Sequence, residues 1–197
     1  MRMLSDRRIR LAAALFALTA LPMATISPAF AAQTVEKAIA AEKNPPGDIP
    51  DSQVFIDYTA PGGARLRVPE GWARSDAPDG ASFVDKFDGV VLSVQPAAHP
   101  LSLKEANEIM VPRLKKEARA VKVAAVRVVH LPAGNAVRIV YSSNSEPNLV
   151  TGKQIRLENE RFLFFKSGKL ATLTLYAPFG ADNVDQWRLM SSSFRWP

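Results

Sequence analysis

Apolar and polar positions alternate in short runs over most of this chain, a period of two that predicts strands more often than helices. Residues 53–59 carry Val54, Ile56 and Tyr58 on one expected face. After a turn at Ala60-Pro-Gly-Gly63 the chain returns with Leu66 and Val68 inward and Arg65 and Arg67 outward. A second hairpin is predicted from residues 81–87 and 90–95 around Asp88-Gly89. Further on, strands are expected over 121–131 and 136–142, separated by Pro132-Ala-Gly134, and a polar loop over 144–152 follows. A long hairpin then spans 153–165 and 170–177 around Lys166-Ser-Gly-Lys169. Both alternating sets of 121–131 are largely apolar, which predicts a strand covered on both faces.

The period changes twice. Ser102-Leu-Lys-Glu105 has capping-box spacing, and Leu103, Ala106, Met110, Leu114 and Ala118 then recur at helical intervals. Pro112 is expected to kink this helix or divide it. Near the end, Trp187, Met190 and Phe194 recur at i, i+3 and i+7, with Asp182 as the expected N-cap and Asp185 in the first turn, where the helix dipole favours an acid.

The N-terminus has a different character. Arg2, Arg7, Arg8 and Arg10 precede the apolar run Leu11 to Leu21, which is too short for a permanent membrane span, and Ala29-Phe30-Ala31 supplies the small residues of a cleavage site. Export with cleavage after Ala31 is expected. The pair Arg7-Arg8 resembles a twin-arginine signal, although Asp6 and Arg10 depart from that pattern. Residues 32–51 then read as a flexible leader, with a short amphipathic helix over 34–43 and the breaker-rich Asn44-Pro-Pro-Gly-Asp-Ile-Pro50. Residues 52–197 are expected to form a single domain.

Composition narrows the function classes. The expected mature chain of 166 residues is long enough for one sizeable core, and its 21 basic against 18 acidic residues leave a net charge of only +3. That charge, without an aromatic-basic motif, does not describe a nucleic-acid binder. The absence of cysteine excludes disulfides, thiolate metal sites, cysteine nucleophiles and a lipoprotein anchor.

Candidate chemistry is sparse. His99 lies before Pro100 in a connecting loop and His130 ends a predicted strand; with no spacing relation between them they do not define a zinc site. There is no G-x-S-x-G nucleophile elbow and no phosphate-cradling glycine motif. Glu158 and Glu160 share an expected strand face and could formally serve as a glycosidase-like pair, but Arg156 and Arg161 flank them, and an ion-paired outer face explains them as well. Asp182, Asn183 and Asp185 lack the spacing of a calcium loop. The basic residues between Lys104 and Lys122 suit either a solvated helix face or an acidic partner or lipid surface. No catalytic residue, metal or cofactor is therefore assigned. Trp72, Lys115, Lys116 and Arg119 are the candidate contacts for a partner or ligand.

Several short passages resemble the PsbP-like superfamily: Val68-Pro-Glu-Gly-Trp-Ala73, Leu101-Ser-Leu-Lys104, Lys166-Ser-Gly-Lys-Leu-Ala-Thr-Leu-Thr-Leu175 and Ser193-Phe-Arg-Trp196. The ending GADNVDQWR…SFRW is similar to exported bacterial members of that group. The resemblance implies an α+β fold, an α/β/α sandwich with a central mostly antiparallel sheet and helices on both faces. It also implies function by docking, since characterised relatives stabilise protein complexes and are not enzymes. It carries no metal or photosystem contact onto a position of this chain. Sequence and resemblance together lead to an exported, monomeric, non-enzymatic domain that docks on a protein complex or the envelope surface, with no transmembrane span after cleavage. A small-ligand or lipid carrier with a sheet–helix cleft near Trp72 or Trp187 is the alternative, and an unrecognised hydrolase ranks last.

Overall fold

The computed structural model describes residues 36–197, so the expected signal segment 1–31 lies outside the described residues. Two strands, β1 (Phe55–Thr59) and β2 (Arg65–Pro69), form a separate antiparallel hairpin. The other seven are β3 (Ala73–Ala77), β4 (Gly80–Asp85), β5 (Asp88–Pro96), β6 (Arg119–Leu131), β7 (Gly134–Asn144), β8 (Arg156–Lys166) and β9 (Lys169–Pro178). They build one sheet in the order β3-β4-β5-β9-β8-β7-β6, with every neighbouring pair antiparallel. Between β5 and β6 lie α1 (Leu103–Glu105), a π-helical turn (Ala106–Met110) and α2 (Val111–Glu117); α3 (Val184–Ser193) closes the chain. No described helix is long and apolar enough to cross a membrane.

Alternation along the strands separates two cores. Val90, Leu92, Phe162, Phe164, Leu173 and Leu175 meet Leu66 and Val68 of the hairpin, Met190 of α3 and Phe194 just after it, with Phe164 stacked on Phe194 at 4.5 Å between ring centroids. On the opposite face of β7 and β8, Val137, Ile139, Tyr141 and Leu163 pack instead with Ala106 and Leu114. The central, mostly antiparallel sheet is as expected. Helices are few, and a β-hairpin shares the covering of the α3 side, so the described residues do not amount to the full helical sandwich.

Local signals fare well where they are self-contained. Ser102 and Glu105 form the reciprocal capping box, and Pro112 sits at the start of α2 directly after the π turn. Ser167 and Gly168, at φ 49° and 73°, make the tight turn between β8 and β9.

Four expectations need correction. The β4–β5 turn is Lys86-Phe87, with Lys86 at φ 51°, and not Asp88-Gly89. Gly89 lies within β5 because a side chain there would overlap the Tyr176 ring, a non-local demand that only glycine meets. Strand β6 is the edge of the sheet and its cover is only partial: Val121, Val123 and Val126 are half-buried against the α1–α2 core, and Val129 and Leu131 against the α3-side core. Val54 and Ile56 are exposed, leaving Tyr58 alone on the buried side of β1. The described part of 34–43 forms no helix. It runs irregularly along the domain, where Asn144 bonds the Ile39 amide, the Glu36 carboxylate and the Lys37 carbonyl, and Lys153 pairs with Glu42 at 2.8 Å.

The start of α3 is organised by Asn183 and not by Asp182. Asn183 is 2% exposed, and its side chain accepts the Ile49 amide at 2.6 Å and donates to the Gly47 carbonyl at 2.8 Å. Asp182 caps nothing: its amide donates to Asp48 at 2.8 Å. Replacing Asn183 with Ala strands two buried backbone groups and should cost about 2–4 kcal/mol, whereas Asp182→Ala should stay within about 0.5 kcal/mol. Urea denaturation of both variants checks the assignment, and a larger loss for Asp182→Ala would restore the capping role.

Candidate functional site

Along the α3 side of β7 and β8, apolar side chains give way to polar ones. Ala136, Phe162 and Phe164 occupy one end; Arg138, Ser142, Asn144, Arg156, Glu158 and Glu160 follow on the same face, because the antiparallel register sets Ser142 opposite Glu158 and Asn144 opposite Arg156. Helix α3 bridges this polar end without closing on it. A cleft of about 370 Å³ remains, with Val129, Leu131 and Phe162 on the sheet side and Val184, Trp187, Arg188 and Ser192 on the helix side.

Each charged group has a different solution. Arg138 grips Glu160 with two prongs, its Nε donating at 2.9 Å and its Nη2 contacting Oε1, and both side chains are about four-fifths buried at 22% and 17% exposure. Arg156 is buried and spends its donors on the Ala120 carbonyl, Asn144 Oδ1 at 3.0 Å and Ser142 Oγ at 2.6 Å. Arg188 pairs with Asp185 at 2.9 Å on the exposed face of α3. Glu158 alone has no ion-pair partner among the described residues; burial pushes its carboxyl above the usual range, opposed by the Gly180 amide that donates to it.

A second perturbed carboxyl lies at the same N-terminal end of α3, where Asn183 donates to it at 3.4 Å. Asp88 is 5% exposed, and burial, with the charges of Asp85 and Asp48, pushes it up to about 7, while a hydrogen bond from Asn183 and the charge of Lys86 work in the opposite direction. Tyr176 is also raised, first by its own burial and then by Asp88.

The residues singled out from the sequence do not converge. Trp72 is half-buried against the hairpin-side core, just before edge strand β3. Lys115 and Lys116 are exposed on α2, close in sequence to the opposite edge, and Arg119 is committed to Glu36 at 2.9 Å and Glu146 at 3.4 Å. His99 bonds the Pro100 carbonyl and lies 3.6 Å from Glu105, and His130 bonds Asn135 at 2.6 Å. No group of three or more metal-ligating side chains occurs among the described residues. Glu158 and Glu160 do share a face, but they leave one strand side by side and so cannot flank a substrate from opposite sides as a glycosidase pair does. Arg161 turns to the other face of the sheet, toward Thr174 and Glu117. Sequence reading missed Arg138 and Arg188. The signal for Arg138 was partial: on the same strand face Ser142 and Asn144 are polar too, but Val140 interrupts the run.

No protein-family model and no curated protein sequence matches the chain. Among solved structures, it is similar to the solution structure of cyanobacterial PsbP (CyanoP) from Synechocystis sp. PCC 6803, at a TM-score of 0.53 and 14% identity, over 77% of this chain and 98% of that one. The fold is PsbP-like.

Asp88 makes stability depend on pH. An ordinary aspartate titrates near 3.9, so the unfolded chain loses this proton first, and the folded state is progressively penalised as pH rises from about 4 to about 7. Asp88→Asn should remove that slope and stabilise the protein at pH 8 by on the order of 3 kcal/mol. Denaturation curves of both proteins between pH 4 and 8 test this; parallel pH profiles would refute it.

Proposed function

We propose that this protein is an exported, non-enzymatic docking domain of PsbP-like kinship that works as a monomer and binds an acidic, extended segment of a protein partner along β6. The observation that carries this reading is the open edge of the sheet. Strand β6 has 13 residues, pairs with β7 on one side only, and ends the strand order. A free edge offers unpaired backbone groups to an incoming strand. All its charged residues, Arg119, Lys122 and Arg127, are basic, which disfavours a second copy of itself and favours an acidic strand. Exposed Lys115 and Lys116 on α2 extend the same positive character. The α/β/α arrangement of the family belongs to this proposal, with α1–α2 as one outer layer and α3 as the other.

Pull-down from envelope extracts with the mature protein should recover a partner, and Lys122→Glu/Arg127→Glu should weaken its capture by about tenfold or more, as should raising the salt to 1 M. Both positions are exposed, so the variant should keep its melting temperature. Equal capture by the variant overturns the edge-docking reading, and capture by anionic vesicles instead of protein moves the site to the envelope surface.

A second reading, carriage of a small ligand, is favoured by the cleft between α3 and the sheet.

A further inference from the structure

The cleft beneath α3 has an uneven demand for ligands. Its two arginines already have carboxylate partners, Arg138 with Glu160 and Arg188 with Asp185. Glu158 does not: the Gly180 amide is its one donor, and the face it shares with Phe162 is partly withdrawn from water. A half-buried carboxylate without a counter-charge is an expensive group to keep, and it leaves a vacancy for one positive charge. The cleft lining mixes apolar side chains, Val129, Leu131, Phe162 and Trp187, with polar ones, Arg188, Ser191 and Ser192 among them, and the register sets Glu158 opposite Ser142, beyond the Arg138–Glu160 pair from Val129 and Leu131. Trp187 is 8% exposed, so its indole is a fixed wall and not a flexible flap. An indole wall beside a carboxylate suits an organic cation, which gains an ion pair on one side and contact with the ring on the other. The volume of about 370 Å³ falls at the small end of ligand sites and excludes a folded partner.

We infer that this cleft binds a small organic amine with an apolar body, its ammonium on Glu158 and its hydrophobic part against the Trp187 indole, with Val184 at the mouth. This rests on the carrier reading above and names the ligand class for it. A metal ion fits less well, since Glu160 is occupied by Arg138 and a single carboxylate remains. An anionic lipid fits less well because Arg138 is held by Glu160 and Glu158 would repel its headgroup.

Binding should be linked to protons. The bound ammonium lowers the carboxyl's pKa, so affinity should rise as pH increases through the titration of Glu158 in the free protein and level off above it.

The test uses phenethylamine, with 3-phenylpropionate and 2-phenylethanol as matched anionic and neutral probes, in calorimetric titrations of the mature protein. Phenethylamine should bind saturably and at least tenfold more tightly than either analogue. Glu158→Gln should remove that preference. Val184→Trp, at an exposed position on the cleft mouth, should weaken binding while keeping the fold, with thermal melting as the check on both variants. Native mass spectrometry of the gently purified protein separates the two levels of the idea. A co-purified anionic or neutral molecule, or equal binding of the three probes, overturns the amine assignment and leaves the carrier reading standing. An empty protein that binds none of the probes at millimolar concentration overturns both, and unchanged phenethylamine affinity in Glu158→Gln overturns the role given to that carboxylate.

Discussion

The α3 side of this domain depends on where β7 and β8 stop being apolar. From Phe164 and Phe162 toward Glu160, Glu158 and Arg156, every second side chain of one strand face changes from a group that repels water to one that must be satisfied. Burying ionisable groups is tolerable only with partners, and the structure supplies them unequally. Arg138 neutralises Glu160, and Ser142, Asn144 and the Ala120 carbonyl absorb Arg156. Glu158 has no such cation among the described residues, and a cleft remains between this polar face and α3.

The same logic governs the segment before β1. Residues 36–51 bury little, apart from Ile49, yet they are held at two stations by side chains from distant strands and loops. At one, Asn144 joins Glu36 and Lys37, and Arg119 adds a charge; at the other, Asn183, Gln186 and Asp48 tie Ile49 and its neighbours to the start of α3. Amides suit this task because one side chain can donate and accept at once. Asp88 sits below the second station, and its elevated pKa follows from the same burial that shields these bonds from water.

What could be read from the sequence was what neighbouring residues decide among themselves. The capping box, the Ser167-Gly168 turn and the Met190–Phe194 stripe need no distant partner, and all appear as expected. Legibility failed where the cause was remote. Gly89 looked like a turn residue and is a gap for Tyr176. Strand β3 had no apolar alternation to reveal it, since all five of its residues are exposed and it is held by its backbone ladder with β4 and by Arg74 over the Tyr58 ring at 4.9 Å. The apolar richness of β6 resembled a central strand, although sheet order places it at the edge. For the cleft, Trp187 and the two glutamates were visible, but Arg138 drew no attention until register put it beside Glu160.

A shared fold at 14% identity says how the chain packs and leaves its chemistry open, because function resides in sites that a fold merely carries. The weight must then fall on features peculiar to this chain, and the two that stand out are contiguous. Val129 and Leu131 line the cleft and belong to β6, the strand whose outer edge is free. A strand added to that edge would stiffen the cleft wall, and a ligand long enough to reach Val129 and Leu131 would hold β6 in place for pairing. Any coupling between the two would be reciprocal, since each would stabilise the arrangement of β6 that the other requires.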